Sequence, residues 1–167
     1  MEHSPTPRQE VEPDPAAGAH IWTTLGYERL GWEFGSTTIG WDAPQDYCFP
    51  SAGGPVVQGG LVTALLDAAM GGACWSVLDE DQAFLTADLR VEFLRPTRPG
   101  RLEARGDVVR RTRRVVFCSA ELFDADGTLL ATSRCTQVVL PADGPAGRSV
   151  PGSTNRGQSG PPRDARG

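Results

Sequence analysis

The sequence predicts an α+β domain in which an antiparallel sheet wraps around one long central helix. Three observations carry that expectation. The stretch VVQGGLVTALLDAAMGGACW, residues 56–75, sets Leu61, Val62, Leu65, Leu66 and Ala69 at helical spacing. The residues that follow change to a period of two and keep it through several successive segments. A single apolar helix followed by an unbroken run of strands fits a meander folded over a buried helix. The 167 residues suit one domain with a real core.

The elements follow in order. Residues 1–18 are rich in Pro, Glu and Ala without apolar period, and read as a disordered arm. Residues 21–30 suit a short packing helix. YERLGWEFGSTTIGW, residues 27–41, reads as a strand with a bend or turn near Gly35. Residues 42–55 hold Pro44, Pro50, Gly53, Gly54 and Pro55, which make a loop into the central helix. That helix should end near Leu78, with a turn over residues 79–82.

Leu85, Ala87, Leu89, Val91 and Phe93 then alternate with Thr86, Asp88, Arg90 and Glu92, as a half-buried strand does. Strict alternation puts Thr86 on the face opposite Leu89 and Phe93, toward a partner subunit or a cleft. Pro96 and Pro99-Gly100 end the strand. Leu102, Ala104, Gly106 and Val108 mark the next, and the RTRR run at residues 111–114 turns it. Residues 115–123 form another strand, Asp124-Ala125-Asp126-Gly127 a hairpin turn, and residues 128–140 the last strand. Residues 141–167 collapse to Gly, Pro, Ser, Arg and Asp and read as a disordered tail. The ordered domain is therefore expected over residues 19–140.

Composition removes several function classes. The net charge of −5 opposes non-specific nucleic-acid binding. All 16 basic residues are Arg, which excludes a Schiff-base lysine and a Walker-loop lysine. The two histidines, His3 and His20, lie outside the expected core, so a Ser-His-Asp or Cys-His arrangement is not expected there. Cys48, Cys74, Cys118 and Cys135 form no CxxC pair and lack histidine partners, so neither metal nor cofactor is expected. Without an apolar leader they read as free thiols in a reducing cytoplasm. No apolar run is long enough to span a membrane.

Candidate chemistry gathers on the central helix. Gly59 and Gly60 open it, so bare N–H groups point out of its first turn. Asp67 lies beside the apolar stripe, with Gly60, Thr63, Ala64, Met70, Gly71 and Cys74 three, four and seven positions away. Most of these are small, so that flank admits a backbone or a narrow ligand, and the carboxylate there would be partly desolvated.

QGGLVTALLDAAMG at residues 58–71 and FLTADLRVEFLRPTRPG at residues 84–100, at this spacing, resemble the hotdog-fold acyl-CoA thioesterases. The group is that of the phenylacetate-pathway PaaI enzymes and 4-hydroxybenzoyl-CoA thioesterase, and the likeness covers roughly residues 27–140. The resemblance implies a hotdog fold, with Gly59 as an oxyanion-type N–H, Asp67 as the catalytic carboxylate and Thr86 as a hydroxyl that holds the attacking water. It implies a homodimer or homotetramer with a site at the dimer interface. The family's common His before the glycines is Gln58 here, which can still donate from its amide. An Asn that many members carry in the preceding loop falls near Ala52, which cannot replace it.

The expected activity is hydrolysis of an acyl-CoA or acyl-carrier thioester. Asp67 would act as general base or as a nucleophile, and the sequence leaves both open. Gln58, Gly59 and Gly60 would meet the thioester at the helix N-terminus. Arg95, Arg98, Arg113 and Arg114 are candidates for the phosphates of CoA. The alternative is a non-catalytic acyl-thioester-binding or scaffold protein of the same fold. A hydratase of this fold would need the catalytic His that the core lacks.

Overall fold

The structure, a computed structural model, describes residues 6–8 and 21–142 of the chain. The expectation of disorder for the remaining tail residues lies outside the described part. Helix α1 (Ile21–Leu25) leads into strands β1 (Tyr27–Glu33) and β2 (Ser36–Ala43). Residues 27–41 are thus a hairpin. It turns at Gly35, whose φ of +82° glycine alone adopts without strain. A 3-10 turn (Gln45–Tyr47) and the two-residue strands β3 (Cys48–Phe49) and β4 (Val56–Val57) lead to helix α2 (Gly59–Ser76). Strands β5 (Gln82–Phe93), β6 (Gly100–Arg111), β7 (Val115–Asp124) and β8 (Leu129–Pro141) complete the chain.

Six strands form one antiparallel sheet in the order β1-β2-β6-β7-β8-β5. Helix α2 lies on one face. Its Leu65, Leu66 and Met70 are fully buried with Ile39, Trp41, Leu102 and Leu122 of the sheet. Burying each such side chain contributes roughly 1.5–3 kcal/mol. The helix rests directly on β6 at Gly106, where a Cβ would come within 2.4 Å of the Ala69 carbonyl. The buried Thr37 hydroxyl donates to the same Ala69 carbonyl oxygen at 2.6 Å. These two contacts fix how α2 sits over the sheet, and so where Asp67 points.

Strand β5 departs from strict alternation. A bulge between Thr86 and Asp88 inserts Ala87 into the ladder with β8. The slip turns Thr86 onto the same face as Leu89 and Phe93, toward α2 of its own chain. The expectation that Thr86 opposes them is therefore corrected, because a period of two survives only where the pairing is regular.

Residues 6–8 also depart from the reading of the arm. The Arg8 guanidinium donates to the carbonyls of Asp79 (2.6 Å), Gln82 (2.8 Å) and Glu80 (3.1 Å), and lies 3.8 Å from the Trp75 ring centre. The Arg8 N–H donates to Ser76 O at 3.0 Å, and Trp32 Nε1 donates to Arg8 O at 3.0 Å. A cation thus docks at the negative end of α2, where the helix dipole favours it. Among the described residues, no helix is long and apolar enough to cross a membrane.

Candidate active site

The N-terminus of α2 is built by local sequence. Gln58 is its N-cap: the side-chain Oε1 accepts from Leu61 N–H at 3.1 Å, and the Gln58 N–H donates to Tyr47 O at 3.0 Å. Val57 N–H donates to Thr97 O at 2.9 Å, tying the turn to the loop after β5. Gly60 lets Gln58 fold back, since a Cβ there would lie 2.7 Å from Gln58 Oε1. The first-turn N–H groups of Gly59 and Gly60 are beyond reach of any carbonyl of the helix. Gly59 opens on an apolar cavity of about 420 Å³, walled by Phe49, Val57, Val62 and Phe93 with Arg95 at its edge. Ala52 is exposed in the preceding loop.

Asp67 stands two turns further along, half-buried. Thr86 Oγ1 lies 3.1 Å from its Oδ1. Burial raises the proton affinity of the carboxyl above that of an ordinary aspartate, and the Thr86 hydrogen bond opposes that rise. The two residues line a cleft of about 350 Å³ whose walls are Trp22, Trp32, Trp75 and Phe84. Its floor is Gly71 and Gly72; a Cβ on Gly71 would press to 3.3 Å from Phe84. The flank expected around Asp67 is narrower than the spacing suggests. Gly71 opens to the cleft, whereas Met70 and Cys74 are core residues and Gly60 lies under Gln58.

The structure brings Asp67 and Thr86 together and keeps Gln58 and Gly59 apart from them. Eight residues separate Gly59 from Asp67, which is about 12 Å along a helix axis. No single thioester carbonyl reaches both within one chain. The four arginines divide as well. Arg95 donates to Leu129 O (2.6 Å) and Arg98 to Gly54 O (2.6 Å) and Pro55 O (3.0 Å), both near the N-terminus of α2. Arg113 and Arg114 sit in the β6–β7 turn, beyond the far end of a 12-residue strand. At about 3.3 Å per residue that strand is about 40 Å long, so one chain cannot lay all four on one nucleotide.

Sequence reading missed two features. Gln137 lies behind Thr86, and only the pairing of β5 with β8 reveals it. The aromatic wall comes from α1, β1, the end of α2 and β5, so no local motif marks it.

The signature of the thioesterase superfamily matches residues 54–131, from the loop before α2 into β8. A putative thioesterase of Ralstonia eutropha JMP134, a phenylacetic acid degradation-related protein, is 30% identical, with 76% of this chain and 92% of that one covered and a TM-score of 0.66. The chain belongs to the thioesterase superfamily. A thioesterase family protein of Silicibacter pomeroyi is 26% identical, covering 76% and 93% of the two chains at a TM-score of 0.67. A thioesterase of Haemophilus influenzae, 20% identical over 76% and 87% of the chains, shares the fold at a TM-score of 0.68. The medium/long-chain acyl-CoA thioesterase YigI of Salmonella typhimurium is 29% identical over 97 residues, which are 50% of this chain and 63% of that relative. The match therefore spans less than two thirds of that relative's length. The sheet wrapped on α2 is the hotdog fold of the superfamily, as expected. The superfamily signature includes Gln58, Gly59, Asp67 and Thr86, and ends before Gln137.

Proposed function

We propose that this member of the thioesterase superfamily hydrolyses an acyl-CoA thioester to the free acid and CoA, as an assembly of at least two copies. The observation that carries the reading is the half-buried Asp67 carboxyl, held by Thr86 in an aromatic cleft. A carboxylate is costly to desolvate, and a site that keeps one with no cationic partner among the described residues favours use of its basicity. Asp67 takes a proton from water held by Thr86, or attacks the carbonyl carbon itself to form an anhydride that water then opens. In both routes the carbonyl oxygen gains charge, and the Gly59 N–H, the Gln58 amide and the helix N-terminus stabilise it. The C–S bond breaks and CoA leaves as the thiol.

A second copy supplies what one rigid helix cannot, an α2 N-terminus beside Asp67. Strand β5 supports this, because among the described residues it is a sheet edge, with Leu85 and Phe93 exposed on it and Leu94 just after it. The same two-fold would bring Arg95 and Arg98 of one copy toward Arg113 and Arg114 of the other, around the phosphates of CoA. The acyl group packs against Trp32 and Phe84.

One observation favours the second reading, a non-catalytic acyl-thioester binder. Gln58 Oε1 is committed to capping α2, and Ala52 offers no polar group. Thiol release from a panel of aryl-, short- and long-chain acyl-CoAs separates the two. The enzyme reading expects cleavage by the wild type. It also expects a loss of about 10² or more in Asp67→Asn with binding unchanged. Binding without cleavage of any thioester would establish the binder instead.

A further inference from the structure

The Asp67–Thr86 pair has a third member behind it. Gln137 on β8 is fully buried and stands opposite Thr86 in the β5–β8 ladder. Its Oε1 lies 3.0 Å from Thr86 Oγ1, and its Nε2 donates to Cys135 Sγ at 3.2 Å. Thr86 Oγ1 therefore has two oxygens within reach, Asp67 Oδ1 at 3.1 Å and Gln137 Oε1 at 3.0 Å. A threonine hydroxyl carries one proton, so the two acceptors compete for it.

The direction of the Gln137 amide is set by a buried thiol. Cys135 stands opposite Cys118 in the β7–β8 ladder, and both are buried free cysteines. The Cys135 sulfur accepts the Gln137 amide N–H at 3.2 Å. That leaves Gln137 Oε1 for Thr86. Both thiols keep their protons: the neighbouring Cys135 lowers Cys118, but Cys74 and burial raise it overall to about 12, and Cys118 and burial raise Cys135.

We propose that Gln137 is a positioning residue that draws the Thr86 hydroxyl proton away from Asp67 and so keeps the carboxylate a stronger base. The inference rests on the reading of Asp67 as the reacting acid. A hydroxyl that donated to Asp67 alone would stabilise the charged form and weaken the base. Gln137 offers that proton another acceptor of equal reach.

The test is a carbon-13 NMR titration of the aspartate carboxyl carbons in the full chain, with Asp67 assigned by its disappearance in Asp67→Asn. Gln137→Met keeps the length of the side chain and removes the competing oxygen. It should move the Asp67 midpoint to lower pH. Thr86→Val removes the one donor to Asp67 among the described residues and should move it to higher pH. The double variant should match Thr86→Val alone, because Gln137 acts only through Thr86. Cys135→Ala keeps Gln137 but frees the amide to turn its nitrogen toward Thr86, and should also lower the midpoint. This second route decides the matter if Gln137→Met does not fold. An unchanged or raised midpoint in Gln137→Met, or a shift that persists without Thr86, overturns the proposal.

In thioester hydrolysis, the acid limb of kcat/KM for Gln137→Met should move with the NMR midpoint. The high-pH kcat should fall roughly three- to ten-fold as the base weakens. KM should stay unchanged, since Gln137 touches no substrate. If the wild type cleaves no thioester, the functional reading fails while the titration still decides the role of Gln137.

Discussion

The turn at Gln58–Gly59 and the pocket at Asp67 stand on one helix and treat charge in opposite ways. The turn is made of neighbours in sequence, offers backbone N–H groups and favours negative charge. The pocket is made of residues far apart in sequence, excludes part of the solvent and disfavours negative charge on Asp67. A thioester hydrolase needs both environments at one carbonyl group. About 12 Å of rigid helix holds them apart within a chain. Under the proposed dimeric site each chain would carry two halves of different sites, and the sharpest experiments treat the halves separately.

The largest expected effects come from disabling each half. Gly59 is the first helical residue, and Gln58 before it has φ −59° and ψ 128°, a conformation that a following proline accepts. Gly59→Pro therefore removes the N–H while the helix still starts, and turnover should fall by about 10²–10³. Asp67→Asn should fall comparably. Mixing the two inactive variants after reversible dissociation tests the division. If each site takes Gly59 from one copy and Asp67 from the other, a mixed dimer holds one intact site. Random pairing then restores about a quarter of wild-type activity. No recovery in a verified mixed dimer would place both halves of a site in one chain and break the comparison.

A smaller effect concerns pH. Burial raises the proton affinity of Asp67 in the folded protein above its unfolded value. The folded chain therefore holds that proton to higher pH than the unfolded chain does. Stability then falls as pH rises from the ordinary aspartate range through the folded-state midpoint, and stays flat above it. Activity should rise across the same window, because only the ionised carboxylate acts as base or nucleophile. Asp67→Asn should remove this stability slope and melt at an equal or higher temperature at neutral pH. A melting curve for Asp67→Asn that keeps the slope would assign it to another group.

The smallest effect lies at the other end of α2. Arg8→Ala deletes three donations to carbonyls and the stacking on Trp75. Partly exposed contacts of this kind should cost about 1 kcal/mol, a fall of a few degrees in Tm. The Gly59 half should be untouched, whereas Trp75 and Trp32 wall the Asp67 cleft, so a mixed dimer of Arg8→Ala with wild type should keep at least half of wild-type turnover at saturating substrate. A melting temperature identical to wild type would show that the docking of Arg8 adds nothing to stability.

By itself the sequence determined the elements and the chemistry that is local. The helix at residues 59–76 was legible because Val62, Leu65, Leu66 and Ala69 repeat with the turn of a helix, and these are the residues it buries. The strands were legible because Leu102, Ala104, Val116, Cys118, Ala120 and Leu122 alternate and face the helix. Gln58 and Gly59 were legible because a helix end is defined by the few residues around it. Tertiary structure alone decided the rest. Ala87 reads as an ordinary alternating residue until its pairing with β8 makes it a bulge, and that one slip turns Thr86 toward Asp67. Gln137 is 70 positions from Asp67 and reads as one polar residue on a strand. Arg8 reads as part of a proline-rich arm until it meets four backbone oxygens at the end of α2 and the loop after it. Periodicity records which face each residue takes within its own element. Where two distant elements meet depends on register, and register is a property of the pairing rather than of either strand.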